Sequence, residues 1–169
     1  MIKQSNYFFY VEQLETAYIK TPLGIAAITG DENGVSIISV SDEGIVSTEI
    51  PLFLQIAVQQ LQEYFDSKRT NFTFKRNPKG TEFQQKVWKA LVNIPFGKTK
   101  TYLEQSKGLG DVKAIRAVAS ANGKNPLWIV VPCHRVIGSD GSLTGYAGGI
   151  WRKKWLLEHE NPVTQQSLF

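Results

Sequence analysis

Tyr102-Leu103-Glu104-Gln105-Ser106-Lys107-Gly108-Leu109-Gly110-Asp111-Val112-Lys113-Ala114-Ile115-Arg116-Ala117-Val118-Ala119-Ser120-Ala121-Asn122-Gly123 reads as a short helix, a turn and a longer helix. The first helix is expected over about 102–107 and the second over about 112–122, separated by Gly108-Leu109-Gly110. Asp111 suits the cap that opens the second helix. Gly123 stands where a helix-ending glycine belongs. This order is the helix-turn-helix pattern. Along the second helix, Val112, Ile115, Val118 and Ala119 make an apolar stripe, and Lys113, Arg116, Ala117 and Ser120 lie opposite. Two cations and two small residues allow close approach to a DNA backbone. A solvated amphipathic helix has the same spacing, so the charge of the surrounding chain must decide.

That charge is segregated. The net charge is +4, but residues 1–74 carry −5, residues 75–155 carry +11 and residues 156–169 carry −2. A basic excess confined to the half that holds the helix pair fits a polyanionic partner.

Upstream, Thr81 with Gln84 forms a capping box, and Phe83, Val87, Leu91 and Ile94 give the helix it opens one apolar face. Pro95-Phe96-Gly97 ends it. The polar run 75–80 divides the chain into an N-terminal part, 1–77, and a C-terminal part, 78–169. In the first part, residues 7–11 read as a strand or terminal clasp. Residues 16–29 read as two strands broken at Thr21-Pro22-Leu23-Gly24. Asn33-Gly34 supplies positive φ angles to a hairpin before a third strand, Val35 to Val40. Ser41-Asp42-Glu43-Gly44 turns the chain again. Leu54, Val58, Leu61 and Phe65 mark the buried face of a helix over 51–67, and Phe72-Thr73-Phe74 reads as a short strand. No titratable cluster stands beside an apolar strand in this part, so its expected role is packing.

Downstream, Leu127 to Val131 is a short apolar run leading to Pro132-Cys133-His134-Arg135-Val136, followed by Gly145-Tyr146-Ala147-Gly148-Gly149. The run reads as a core strand that delivers the only cysteine to a glycine-rich wall. A buried structural cysteine is the plainer alternative. Neighbours on a strand face opposite ways, so Cys133 and His134 would need a relay to exchange a proton.

Composition narrows the classes. Hydrophobic residues make up 42% and charged residues 20%, as in an ordinary globular protein. No apolar stretch suits a membrane span, and the first ten residues have no secretory core, so a cytoplasmic protein is expected. One cysteine and two histidines, His134 and His159, leave no internal disulfide and no metal site, and no cofactor motif is present.

Taken together, Arg116-Ala117-Val118, Asn125-Pro126, Pro132-Cys133-His134-Arg135-Val136, Gly145-Tyr146-Ala147-Gly148-Gly149 and Lys154-Trp155-Leu156-Leu157 resemble the O6-alkylguanine-DNA alkyltransferases, also called methylated-DNA–protein-cysteine methyltransferases. The motifs cover residues 81–160; the first half matches in layout only. The resemblance implies an α+β fold. A small N-terminal antiparallel sheet with a helix, ribonuclease H-like, would pack on a mostly helical, winged helix-turn-helix-like C-terminal domain. It implies Cys133 as the alkyl acceptor, His134 as a base acting through a water, and Glu160 as the residue that holds the histidine. Asn125 would be the hinge beside the thiolate. Tyr102 would press on the target phosphate and donate to the base. Arg116 would fill the gap left by a flipped nucleotide. Lys113, Ala117, Ser120, Lys124 and Arg135 would meet DNA; Tyr102, Val136, Tyr146, Ala147 and Gly148 would line the base pocket. The implied partner is double-stranded DNA with alkylated bases, O6-alkylguanine and also O4-alkylthymine, approached from the minor groove. A monomer is expected, with cooperative binding along DNA left open. Some relatives carry Ser where this chain has Ala147, leaving only a backbone N–H there. The zinc-binding cysteines of some members are absent.

The residues also leave two other readings. A Cys–His hydrolase needs nucleophile and base in direct contact. A non-enzymatic helix-turn-helix binder explains the charge but gives the Pro-Cys-His-Arg-Val site no purpose.

Overall fold

The computed structural model describes residues 13–162, and the segment 7–11 read as a strand or clasp lies outside them. Strands β1 (Glu15–Thr21), β2 (Gly24–Asp31) and β3 (Gly34–Ser41) form an antiparallel meander in that order. Their alternation is regular: Ala17, Ile19, Ala26, Ile28, Ile38 and Val40 point into the core, and Tyr18 and Ile37 point out. The β2–β3 turn is Glu32-Asn33. Asn33 does not adopt positive φ. Its N–H bonds the Asp31 carboxylate at 2.8 Å, and only Gly34, at φ 134°, needs the left-handed region.

Helix α1 (Gln55–Phe65) follows a single 3₁₀ turn, Leu52–Leu54. Its buried face is Ala57, Val58, Leu61 and Tyr64. Leu54, Val58 and Leu61 are buried as expected; Ala57 and Tyr64 widen the face, and Phe65 at its end is only partly inside. Residues 72–74 are not a strand. The segment is held instead by Gln60, whose Oε1 accepts from Thr73 N–H at 2.8 Å and whose Nε2 donates to Thr73 Oγ1 at 2.7 Å. Just after it, Val35 N–H donates to the Lys75 carbonyl at 2.9 Å and the Val35 carbonyl accepts from Asn77 N–H at 2.7 Å.

Helix α2 (Glu82–Val92) has the expected Thr81/Gln84 capping box and buries Val87, Trp88 and Leu91; Phe83 is exposed. A two-residue strand β4 (Lys100–Thr101) leads into α3 (Tyr102–Gly108), which has a second capping box, Thr101 with Glu104. A 3₁₀ turn, Val112–Ala114, capped by the Asp111 side chain, precedes α4 (Ile115–Gly123). Val112 is exposed, because it sits in that turn and not on the helix face; Val118, Ala121 and Asn122 make the buried side. Gly123 is the last helical residue without a positive φ, and Lys124 takes the cap. Two side-chain ties fix α4. Trp88 Nε1 donates to the Ala121 carbonyl at 2.9 Å, and Gln105 and Asn122 exchange amide hydrogen bonds of 3.0 and 2.7 Å.

The largest departure from expectation is the run 127–131. It is not a strand. Leu127 makes one bridge to Ile38, residues 128–130 turn, and Ile129 stands at φ 74°, rare for a β-branched residue. The run is pinned to the outer edge of β3: Ile38 N–H donates to the Pro126 carbonyl at 2.8 Å, and Trp128 N–H donates to the Ile38 carbonyl at 3.1 Å. The meander therefore anchors the loop that leads to the cysteine. Strand β5 (Val136–Ile137) pairs in parallel with β4, and α5 (Ile150–Glu160) closes the described chain. Among the described residues, no helix is long and apolar enough to cross a membrane.

Candidate active site

Cys133 opens a 3₁₀ turn, Cys133–Arg135, and forms part of the wall of a cavity of about 550 Å³. Tyr102, Arg116, Asn122, Tyr146 and Ala147 are among the residues around it. Cys133 is only 9% exposed.

Asn125, itself buried, shapes the turn. Its Oδ1 accepts from Leu127 N–H at 2.9 Å. Its Nδ2 reaches the Val131 carbonyl at 2.7 Å and Cys133 Sγ at 3.3 Å. One amide thus fixes the loop and touches the nucleophile. Burial pushes the Cys133 thiol above its ordinary value, while the Asn125 bond and then the Lys153 charge pull it back. The resting thiol is therefore protonated at neutral pH and needs a base to react.

His134 is wholly buried behind it. Its Nε2 lies 2.8 Å from Glu160 Oε1. Burial holds the imidazole below its ordinary value; Glu160 opposes this, and Arg135 and Lys153 add to it. Burial alone would raise the Glu160 carboxyl, but the bonds and charges of His134 and Arg135 outweigh it and hold the group far below the carboxylate range. An ionised carboxylate only accepts hydrogen bonds, so the neutral ring carries its proton on Nε2. Nδ1 is then a free lone pair, and no protein group among the described residues bonds it.

Arg135 corrects an expectation. It does not face DNA. It is buried, with Nε and Nη2 on the two Glu160 oxygens at 2.8 and 2.9 Å and Nη1 on the Ile94 carbonyl at 2.6 Å. A planar guanidinium suits this fork, and it neutralises the carboxylate. The first half also enters the site, against expectation: Tyr64 Oη donates to Glu160 Oε1 at 2.7 Å.

A second buried cation was also missed. Lys153 Nζ donates to the Val136 carbonyl at 2.6 Å and the Thr144 carbonyl at 3.2 Å, and lies 3.5 Å from Tyr102 Oη. Tyr102 Oη donates to the Thr144 carbonyl at 2.9 Å, and burial raises its pKa. Val136 and Gly148 were expected on the pocket wall and are not there. Val136 is fully buried with its carbonyl on Lys153; Gly148 is buried with its carbonyl on Arg152 Nη1 at 2.8 Å. Lys153 had a signal: it lies three and seven residues before Leu156 and Glu160, on the buried face of α5. Tyr64 lies 96 residues from its partner and had none.

Residues 82–162 match the family model described as "6-O-methylguanine DNA methyltransferase, DNA binding domain". A methylated-DNA–protein-cysteine methyltransferase of Methanosarcina barkeri is 44% identical over 149 residues, covering 84% of this chain and 94% of that protein. The chain belongs to the methylated-DNA–protein-cysteine methyltransferase family.

Solved structures agree with this membership. The O6-methylguanine methyltransferase of Mycobacterium tuberculosis superposes with a TM-score of 0.80 at 41% identity, covering 89% of this chain and 94% of that one. A structure of the same organism's OGT in complex with DNA gives 0.78 at 40% identity, covering 87% and 93%. In this methyltransferase-family chain, the α4 residues Arg116, Ala117 and Ser120 are exposed, as are Lys113 just before the helix and Lys124 just after it. Arg116 also borders the cavity that contains Cys133. The basic helix face and the cysteine pocket therefore adjoin.

Proposed function

We propose that this chain repairs DNA by direct reversal, moving a methyl or larger alkyl group from O6 of guanine, and from O4 of thymine, to Cys133. The observation that carries the reading is the placement of Cys133: one buried sulfur on the wall of a cavity of about 550 Å³, roomy enough for a nucleobase, whose edge is formed by the exposed basic helix.

The chemistry follows from the groups. His134 Nδ1 takes the Cys133 proton through a bridging water, and Glu160 steadies the imidazolium that forms. Sγ attacks the alkyl carbon in line. An S–C bond forms, the C–O bond breaks, and the electron pair leaves on the base oxygen. The departing base is stabilised by Tyr102, which turns its hydroxyl from the Thr144 carbonyl; with its pKa raised, it acts as a hydrogen-bond donor. The base anion takes a proton from water, and the imidazolium releases to water the proton it gained from Cys133, so the products are a thioether and an unmodified base. A thioether is not opened by thiol exchange, and the chain holds no second cysteine, so each molecule reacts once.

A base in a duplex must leave the stack to reach Cys133. Arg116 occupies the space it leaves, and Lys113, Ala117, Ser120 and Lys124 meet the strands from the minor groove. Helices α3 and α4 act as the helix-turn-helix of a winged helix-turn-helix-like domain over residues 78–169. Residues 1–77 are a ribonuclease H-like structural part. The protein works as a monomer on double-stranded DNA, in the cytoplasm, where a lone thiol stays reduced.

The test is stoichiometry. With excess DNA bearing O6-methylguanine, demethylation stops at one methyl per protein chain. Continued turnover, or no loss of methyl at all, would overturn the reading.

A further inference from the structure

We infer that Tyr64, on the helix of the N-terminal half, is a positioning residue for His134: its hydroxyl bond to Glu160 Oε1 orients that carboxylate and moderates its pull on the imidazole. The inference rests on the alkyl-transfer reading only for its kinetic test.

Glu160 Oε1 is shared. It accepts from Tyr64 Oη at 2.7 Å, faces His134 Nε2 at 2.8 Å and accepts from Arg135 Nη2 at 2.9 Å. Oε2 accepts from Arg135 Nε at 2.8 Å. Each donor withdraws charge from the carboxylate and leaves less for the histidine. The groups facing this cluster come from several elements. Arg135 lies on the same turn as His134, Glu160 and Lys153 on α5, and Tyr64 on α1; the Gly97 N–H adds a weak contact of 3.5 Å to Oε2. Only Tyr64 belongs to the first half.

Tyr64 remains a donor throughout. Burial, then the neighbouring Glu160 charge, hold its hydroxyl well above the ordinary phenol range. Its ring is set by Phe65, Phe72, Phe96 and His159, with centroids 5.1 to 6.1 Å away. Tyr64→Phe therefore removes one hydrogen bond and keeps the packing.

Removing that bond leaves Glu160 less satisfied, so it attracts a proton on His134 more strongly. The imidazole becomes easier to protonate. Transfer requires the neutral ring, so its acid limb moves to higher pH in Tyr64→Phe. Relative to the rate at the alkaline plateau, the rate on the acid limb falls about threefold, which corresponds to roughly half a unit of movement. A purely structural tie would lower the rate or stability equally at all pH values and leave the limb in place.

The experiment measures single-turnover methyl transfer from O6-methylguanine DNA across pH for the wild type and Tyr64→Phe. In parallel, the His134 ring is titrated by nitrogen-15 NMR in the DNA-free proteins. The inference expects both the limb and the ring titration to move upward in the variant. An unmoved or lowered ring titration overturns it, as does an unmoved limb beside measurable transfer. If the wild type transfers no methyl, the alkyl-transfer reading fails, and the ring titration alone decides the role of Tyr64.

Discussion

At the scale of single residues, the site is a balance of burial against hydrogen bonding. Cys133, His134 and Glu160 are all buried, and each would lose its charge if left alone. Only Glu160 is fully compensated, by Arg135, His134 and Tyr64. This has a pH signature. The Glu160 pKa is depressed on folding, so its stabilisation is present above its ordinary value and is lost as pH falls towards the folded value. His134 is also depressed. The unfolded chain binds its proton more readily, so stability declines as pH falls below the ordinary histidine value of 6.5. Both act in one direction, and melting temperature is expected to fall steadily from neutral pH into acid. In Glu160→Gln the acid-dependent part flattens; an equally steep decline would contradict the assignment. Arg135→Met leaves the buried Glu160 carboxylate without its cation and is expected to cost about 3–5 kcal/mol in denaturant unfolding. Adjacency alone did not pair Cys133 with His134, since neighbours on a strand face opposite ways; the pairing came from the family resemblance. Arg135 was not readable as structural, because a cation in a basic half looks the same on paper whether it faces DNA or a buried carboxylate.

At the scale of elements, the helix pair was the most readable feature. Its turn glycines and Asp111 cap are local signals, and local signals survive folding. Of the expected apolar stripe only Val118 is buried, Ile115 and Ala119 being half-buried and Val112 exposed. The exposed residues of α4 and its flanks lie where that pattern puts them. The run 127–131 shows the opposite case. Leu-Trp-Ile-Val-Val reads as a strand by propensity, but the Asn125 side chain ties its two ends together and folds it into a turn. Tertiary bonding overrode β-propensity. Two outcomes belong to this scale. Thr101→Ala removes the cap of α3, which carries Tyr102, and is expected to cost about 1 kcal/mol in thermal or chemical unfolding. Arg116→Ala is expected to slow transfer from duplex DNA far more than Arg116→Lys if the side chain enters the base stack. Equal losses from the two, in single-turnover assays, would count against that role.

At the scale of the whole molecule, the N-terminal half is more than packing. Its meander edge holds the loop before Cys133, Tyr64 reaches the Glu160 carboxylate, and Leu23 and Asp42 receive Arg152. Arg152 also bonds the Gly148 carbonyl, so one side chain ties the glycine-rich loop to the sheet. Arg152→Met leaves two buried carbonyls unpaired and is expected to cost about 1–3 kcal/mol for each. Asp42→Asn, at a carboxylate whose side chain is 82% exposed, is expected to cost less than about 1 kcal/mol. The bonds of Tyr64 to Glu160 and of Arg152 to Leu23 and Asp42 join residues more than ninety positions apart, where no spacing rule operates. The charge asymmetry, by contrast, needs no folding to be seen, and it pointed to a polyanionic partner. The central claim remains that Cys133 accepts the alkyl group, and intact protein mass tests it most directly. After mixing with DNA that contains O6-methylguanine, the wild type is expected to gain one methyl in place of a proton, and Cys133→Ser to gain nothing. An unchanged wild-type mass, or the same gain in Cys133→Ser, would contradict the account.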